Sequence, residues 1–137
     1  MTFQKIGLDG RPLGAPNLAA FLDQKTGLMW AAQDVSSSRM TFDEAKLACG
    51  NFRCAGFDDW RLPTISELET LRDLSCCDPA ADPELGLKSN YYWSSTPLAS
   101  SPSGFAWGVN FGNGFVHYYY QDHTAFVRAV RGSRAGQ

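Results

Sequence analysis

A chain of 137 residues and 15.1 kDa with 44% hydrophobic and 19% charged residues can bury a core, so its composition is that of a folded domain and not of an intrinsically disordered chain. The net charge of −2 and pI near 5.6 argue against a general nucleic-acid binder, and no apolar run approaches the roughly 20 residues that span a bilayer. Four Trp, five Tyr, nine Phe, thirteen Gly and seven Pro favour a single α+β domain rich in turns over a helical bundle.

In chain order, Phe21 to Trp30 reads as a hairpin turning at Gln24-Lys25-Thr26-Gly27. Thr41-Phe-Asp-Glu44 has capping-box spacing and opens a first helix with Phe42, Ala45, Leu47, Ala48 and Cys49 on its apolar face and Gly50 as its stop. Thr64-Ile-Ser-Glu67 repeats that spacing after Pro63, and Ile65, Leu68, Leu71 and Leu74 fall on one face of a second helix. Beyond residue 90 the period becomes two. Tyr92 to Thr96 is a strand, Pro97 to Gly104 a Ser/Pro loop, and Ala106 to Phe111 a strand. The Asn113-Gly114 pair makes a tight turn into a return strand from Phe115 to Tyr120, and Phe126 to Arg131 is a final strand.

Charge is uneven along this order. Residues 41–84 carry ten acids and four bases, whereas residues 105–137 carry Asp122 against Arg128, Arg131 and Arg134. The four cysteines, Cys49, Cys54, Cys76 and Cys77, do not have zinc spacing, and both histidines lie far downstream. Two readings stay open: a disulfide from Cys49 or Cys54 to the 76–77 pair, or four thiols. No metal and no cofactor is expected. The start, Met-Thr-Phe-Gln-Lys, lacks the apolar core of a secretory signal, so no signal peptide is expected in this chain.

Five stretches in order carry a family resemblance: Thr26-Gly-Leu-Met-Trp30, Gly56 through Leu68, Tyr92-Trp-Ser-Ser-Thr96, Val109 through Gly114, and Val127 through Gly132. Over about residues 20–132 the chain resembles the Lcl C-terminal domain family, found at the end of bacterial collagen-like adhesins. Its Trp60-Arg-Leu-Pro-Thr64 element is distantly similar to formylglycine-generating, sulfatase-modifying proteins and to retroelement variable proteins. The resemblance implies a C-type-lectin-like fold and a homotrimer or other homo-oligomer that recognises a cell-surface glycan or protein. The setting it implies is the cell surface or a virion, such as a phage tail, with no nucleic acid and no membrane insertion.

Departures from that family setting matter. The chain has no Gly-X-Y tract, no calcium-and-sugar motif, and no cysteine after Cys77 that could serve a copper-dependent enzyme. A Ser-His-Asp set could be drawn from Ser94 or Ser95, His117 and Asp122, but no G-x-S-x-G elbow supports it. We therefore expect no enzyme. Trp30, Trp60, Arg61, Trp93 and Arg128 are expected to be structural. The ligand face is expected on the hairpin: with Val116, Tyr118 and Tyr120 inward, Phe115, His117, Tyr119 and Gln121 point out. Tyr and His suit recognition because they join apolar area to a hydrogen-bonding handle. Tyr91, Asn110 and Asn113 are added from beside the strands, and Arg131 as a contact for an anionic group. The alternative is a structural subunit of a larger assembly, with the aromatic strand buried between copies.

Overall fold

The computed structural model describes residues 3–7 and 18–132. The fold is α+β, with two antiparallel sheets and two helices. Strands β1 (Phe3–Gly7), β2 (Leu18–Asp23), β3 (Met29–Ala31) and β7 (Val130–Arg131) form the first sheet, in the order β1-β2-β3-β7. Strands β4 (Tyr91–Leu98), β5 (Ser101–Asn110) and β6 (Phe115–Tyr120) form the second, in chain order. Helices α1 (Phe42–Asn51) and α2 (Ile65–Glu69) lie between them in sequence.

Both helices start as their sequences predict. Thr41 and Thr64 each accept from the backbone N–H three residues on, while Glu44 and Glu67 reach back to the cap N–H. Their lengths differ from expectation. Helix α1 runs past Gly50 to Asn51 and buries Phe42, Ala45 and Cys49, but Leu47 is exposed, because it lies off the stripe those three define. Helix α2 stops at Glu69, so Leu74 never joins its face and stands exposed. The stretch expected as a Ser/Pro loop is strand: β4 runs to Leu98 and β5 begins at Ser101, pairing Leu98 with Ser101 and Pro97 with Ala106 through an irregular register. Pro97 is accommodated because the ladder is already interrupted there. The final strand is shorter than expected. Only Val130–Arg131 pairs with β3, and residues 125–126 contribute isolated bridges to Met40 and Tyr92.

Strand β4 is buried on both faces. Tyr91 and Trp93 enter one hydrophobic cluster with Phe42, Cys49 and Trp60, while Tyr92 enters the other with Trp30, Leu68, Val109 and Phe111. The tryptophans are anchored by more than area. Trp60 Nε1 donates to the Cys54 carbonyl and Trp93 Nε1 to the Met40 carbonyl; Trp30 is wholly buried and its Nε1 has no partner among the described residues.

Two arginines tie chain-distant segments together. Arg61 holds both oxygens of buried Glu67 at 2.6 and 2.7 Å and the Gly132 carbonyl at 2.7 Å. Burial opposes ionisation of Glu67, but Arg61 and the Thr64 N–H outweigh it and keep its carboxyl below the ordinary range. Arg128, 2% exposed, donates to Asp34 and to the Ala31 and Leu85 carbonyls. Asp34 in turn accepts from the Tyr92 hydroxyl and Lys88. It is the centre of a buried network, and nothing in Gln33-Asp34-Val35 marks it in sequence.

All four cysteines are free thiols, so of the two readings left open by the sequence the structure has the four thiols. Cys49 is buried against α1's cluster, and Cys76 donates to the Asp73 and Ala81 carbonyls of its own loop. Burial pushes the Cys49 thiol up to about 12, which leaves it protonated and unreactive at neutral pH.

Replacing Asp34 with Ala leaves Arg128 with a buried charge and no counter-ion. The expected loss is about 3–5 kcal/mol, read from urea unfolding midpoints at constant slope.

Candidate functional site

The site is built by β4, β5 and β6 at the side of the molecule where the second sheet ends. Among the described residues β6 pairs only with β5, so one side of its backbone is an open edge. The register sets Val116 opposite Val109, His117 opposite Gly108, Tyr118 opposite Trp107 and Tyr119 opposite Ala106. Opposite residues share a face, so alternate β6 side chains are sorted to the two sides of the sheet.

One side carries Tyr119 and His117. Tyr91 crosses beneath them: its ring meets Tyr119 edge-on at 4.3 Å, and its hydroxyl donates to the His117 carbonyl at 2.8 Å. That crossing needs Gly108. A Cβ there would collide first with the Tyr92 backbone carbonyl, and would also stand 2.5 Å from Tyr91 Cζ and 2.6 Å from its oxygen, inside any real contact distance. Burial, with Tyr119 adding to it, raises the Tyr91 phenol well above its usual range, so it stays a neutral donor. His117 Nδ1–H donates to the Tyr118 carbonyl at 2.8 Å, and its ring lies 5.3 Å from that of Tyr119. The turn after β6, closed by the His123 N–H on the Tyr120 carbonyl, returns His123 to 6.2 Å from the Tyr119 ring.

Between these groups lies a cavity of about 190 Å³ lined by Asn90, Tyr91, Trp93, Asn110, Tyr119, His123 and Thr124. The two asparagines are oriented by their oxygens: Asn90 Oδ1 accepts from the Tyr91 N–H at 2.7 Å, and Asn110 Oδ1 from the Gly112 N–H at 2.8 Å. Neither amide nitrogen donates to another described group.

The other side of the sheet is also open, which corrects one expectation. Val116 packs against the second cluster as an inward residue should, but Tyr118 and Tyr120 do not enter the core. They are 40% and 55% exposed and form a strip with Phe105 and Trp107, with ring centroids 4.5 to 5.6 Å apart. The reason is position: β6 is the outermost strand, and the second cluster reaches only to Val116 and Val109.

The remaining sequence-derived candidates separate. Phe115, 67% exposed, and Asn113 sit at the hairpin tip, where Asn113 Oδ1 accepts from the Phe115 N–H as a turn residue does. Gln121 spends its amide on the Pro102 and Phe105 carbonyls and faces a different, wider cleft of about 460 Å³ with Asp43 and Asp122. Arg131 belongs to the first sheet. It grips both oxygens of Asp59 and stacks 3.7 Å over Phe57, and it shares no cavity with the hairpin. Its Nε and Nη2 are both committed to Asp59, and it holds the Asp59 carboxyl below its ordinary range. Sequence reasoning missed Asn90, His123 and Thr124 as partners of Tyr91, and placed Trp93 only as core. No group of three His, Cys, Asp or Glu among the described residues could hold a metal ion.

A further feature is compositional. From Ser89 to Gln121, the whole of this sheet and its turns, the sequence contains no Asp, Glu, Lys or Arg. Exposed aromatics on charge-free strands are the composition of an interface core, not of an ordinary solvated surface.

Residues 19–131 match the Lcl C-terminal domain. The chain belongs to the Lcl C-terminal domain family. No curated protein matches it. Within this member of the Lcl C-terminal domain family, the match runs from β2 through β7 and so includes both sheets' central strands and the cavity between Tyr91 and Tyr119.

Gly108→Ala should cost about 1–3 kcal/mol by pushing β5 away from the Tyr92 carbonyl of β4 and driving the Tyr91 ring out of its place across β5. The same change should raise Tyr119 mobility and exposure, seen as altered near-ultraviolet circular dichroism, whereas Gly50→Ala, in open space on α1, should leave that spectrum unchanged.

Proposed function

We propose that this domain is a non-catalytic recognition module whose binding face is the β6 side of the second sheet, directed at a glycan or protein on a cell surface. The observation that carries this reading is the row of half-exposed rings along a strand that, among the described residues, is paired on one side only, in a segment free of formal charge. Leaving such apolar area in water is unfavourable by roughly 25 cal/mol per Å², and a ligand that covers it recovers that free energy. Tyr and His present that area with few rotatable bonds and with donors or acceptors at their tips, so ordering them on binding costs little.

Membership of the Lcl C-terminal domain family, with the resemblance to the ends of collagen-like adhesins, supports a surface role for the domain. The catalytic alternative finds little support in the side chains that would perform it. Ser94 Oγ donates to the Trp107 carbonyl and His117 Nδ1–H to the Tyr118 carbonyl; each is satisfied locally and they do not meet. The open β6 edge and the Phe105–Tyr118–Tyr120 strip favour a second reading, in which copies of the chain pack there as a homotrimer or as a subunit of a larger assembly. In that case the Tyr119 side still serves ligand recognition, since the two faces are opposite.

The paired substitution His117→Ala and Tyr119→Ala tests the face. Attachment to target cells or glycan-coated surfaces should fall at least about tenfold, a change of about 1.4 kcal/mol, with the unfolding midpoint shifted little because both side chains are exposed. Undiminished attachment by the folded double variant overturns the reading.

A further inference from the structure

We infer that the cavity between Tyr91 and Tyr119 is a subsite for one uncharged pyranose ring, such as a neutral hexose or N-acetylhexosamine unit. This rests on the proposed recognition role and names the ligand class that the role requires.

Three observations converge. First, the donors are neutral. Asn90 and Asn110 have their oxygens committed to backbone N–H groups, so what each presents is an NH₂. Those two groups, with the Thr124 hydroxyl, supply donors and one adaptable donor–acceptor to a ring bearing several hydroxyls. Second, the walls are rings. Tyr119 and Tyr91 meet edge-on, giving a corner against which the C–H face of a sugar packs while its hydroxyls point to the amides. Third, no carboxylate, ammonium or guanidinium lines the cavity, whose one imidazole is that of His123, and no Asp, Glu, Lys or Arg occurs anywhere from Ser89 to Gln121. A sulfate or carboxylate placed there would lose its hydration with no Lys or Arg to pair with it. Arg131, the cation expected for an anionic ligand, is bound to Asp59 in the other sheet.

The cavity's limited size sets the rest of the expectation. At about 190 Å³ it holds one ring, not a chain. Affinity for a monosaccharide is therefore weak, and useful strength comes from repeated presentation on a surface. Binding that depends on hydrogen bonds and ring contact, not on ion pairs, is insensitive to salt.

The test uses the whole chain, methyl glycosides of glucose, galactose, mannose and N-acetylglucosamine as neutral probes, and heparin as the sulfated one. Titration followed by side-chain amide NMR should show saturable binding of at least one neutral glycoside, with shifts at the Asn90 and Asn110 NH₂ resonances. The dissociation constant should change less than about twofold between roughly 50 and 500 mM NaCl. Asn90→Asp and Asn110→Asp keep the acceptor oxygen that each backbone N–H uses and remove the NH₂. Each should weaken the neutral glycoside at least about tenfold.

Binding of heparin alone, with steep salt dependence, overturns the inference. So does neutral-sugar binding that leaves both asparagine resonances in place in the unsubstituted protein, a readout that stands even if an aspartate variant fails to fold. Should no glycoside bind while His117→Ala with Tyr119→Ala still abolishes cell attachment, the sugar class is wrong and the recognition face remains. Should neither effect be seen, both fall.

Discussion

Strand β4 is buried on both faces, and the rest of the molecule is arranged around that constraint. Alternation along an extended chain sends Tyr91 and Trp93 into one cluster and Tyr92 into the other, so a single strand separates two cores. The Tyr92 hydroxyl, carried into the interior by that alternation, is satisfied by Asp34, and Asp34's charge by Arg128 and Lys88. Burial raises the Tyr92 phenol above its usual range, which keeps it a donor to the carboxylate. Arg128 then reaches the Ala31 and Leu85 carbonyls and so links the segment entering β7 to the end of β3 and to the segment that leads into β4. With β4 fixed centrally, β5 and β6 extend outward from it. The exposure of β6 is a consequence of where the core ends.

That geometry explains why the candidate site and the structural framework use neighbouring residues without sharing roles. Trp93 anchors the first cluster through the Met40 carbonyl and also lines the Tyr91–Tyr119 cavity. Gly108 is silent in composition, yet it decides whether Tyr91 can lie across β5 at all. The hydrogen bond from Tyr91 to the His117 carbonyl fixes β6 against β4 across the intervening strand. A site so made is preformed: its walls are held by the fold, so ligand binding need not order them.

Much of the framework was readable from local chemistry. The capping boxes at Thr41 and Thr64 and the Asn113-Gly114 turn are decided by a few adjacent residues, so their sequences announce them. What failed to read was decided at a distance. Leu74 continues the period of α2, yet the helix ends at Glu69 and the chain turns away. Tyr118 and Tyr120 follow Val116 in alternation, but alternation says only which side a residue takes, not whether core exists on that side. Asn90 and Thr124 join the cavity from segments that pair with β5 or follow the β6 turn, and nothing in Ser-Asn-Tyr or His-Thr-Ala marks them. Arg131 reads from sequence as a contact for an anionic group because Asp59 lies 72 residues earlier and only the folded chain brings them together.

The central claim is that the ligand covers the β6 side of the charge-free sheet. Hydrogen exchange of the backbone amides, measured with and without cells' isolated surface glycans at saturation, tests it most directly. The account predicts added protection confined to residues 90–91, 108–110 and 115–124, with the β1–β2–β3–β7 sheet unchanged. Protection centred instead on the Arg131–Asp59 side of the molecule, with β6 unaffected, would contradict it.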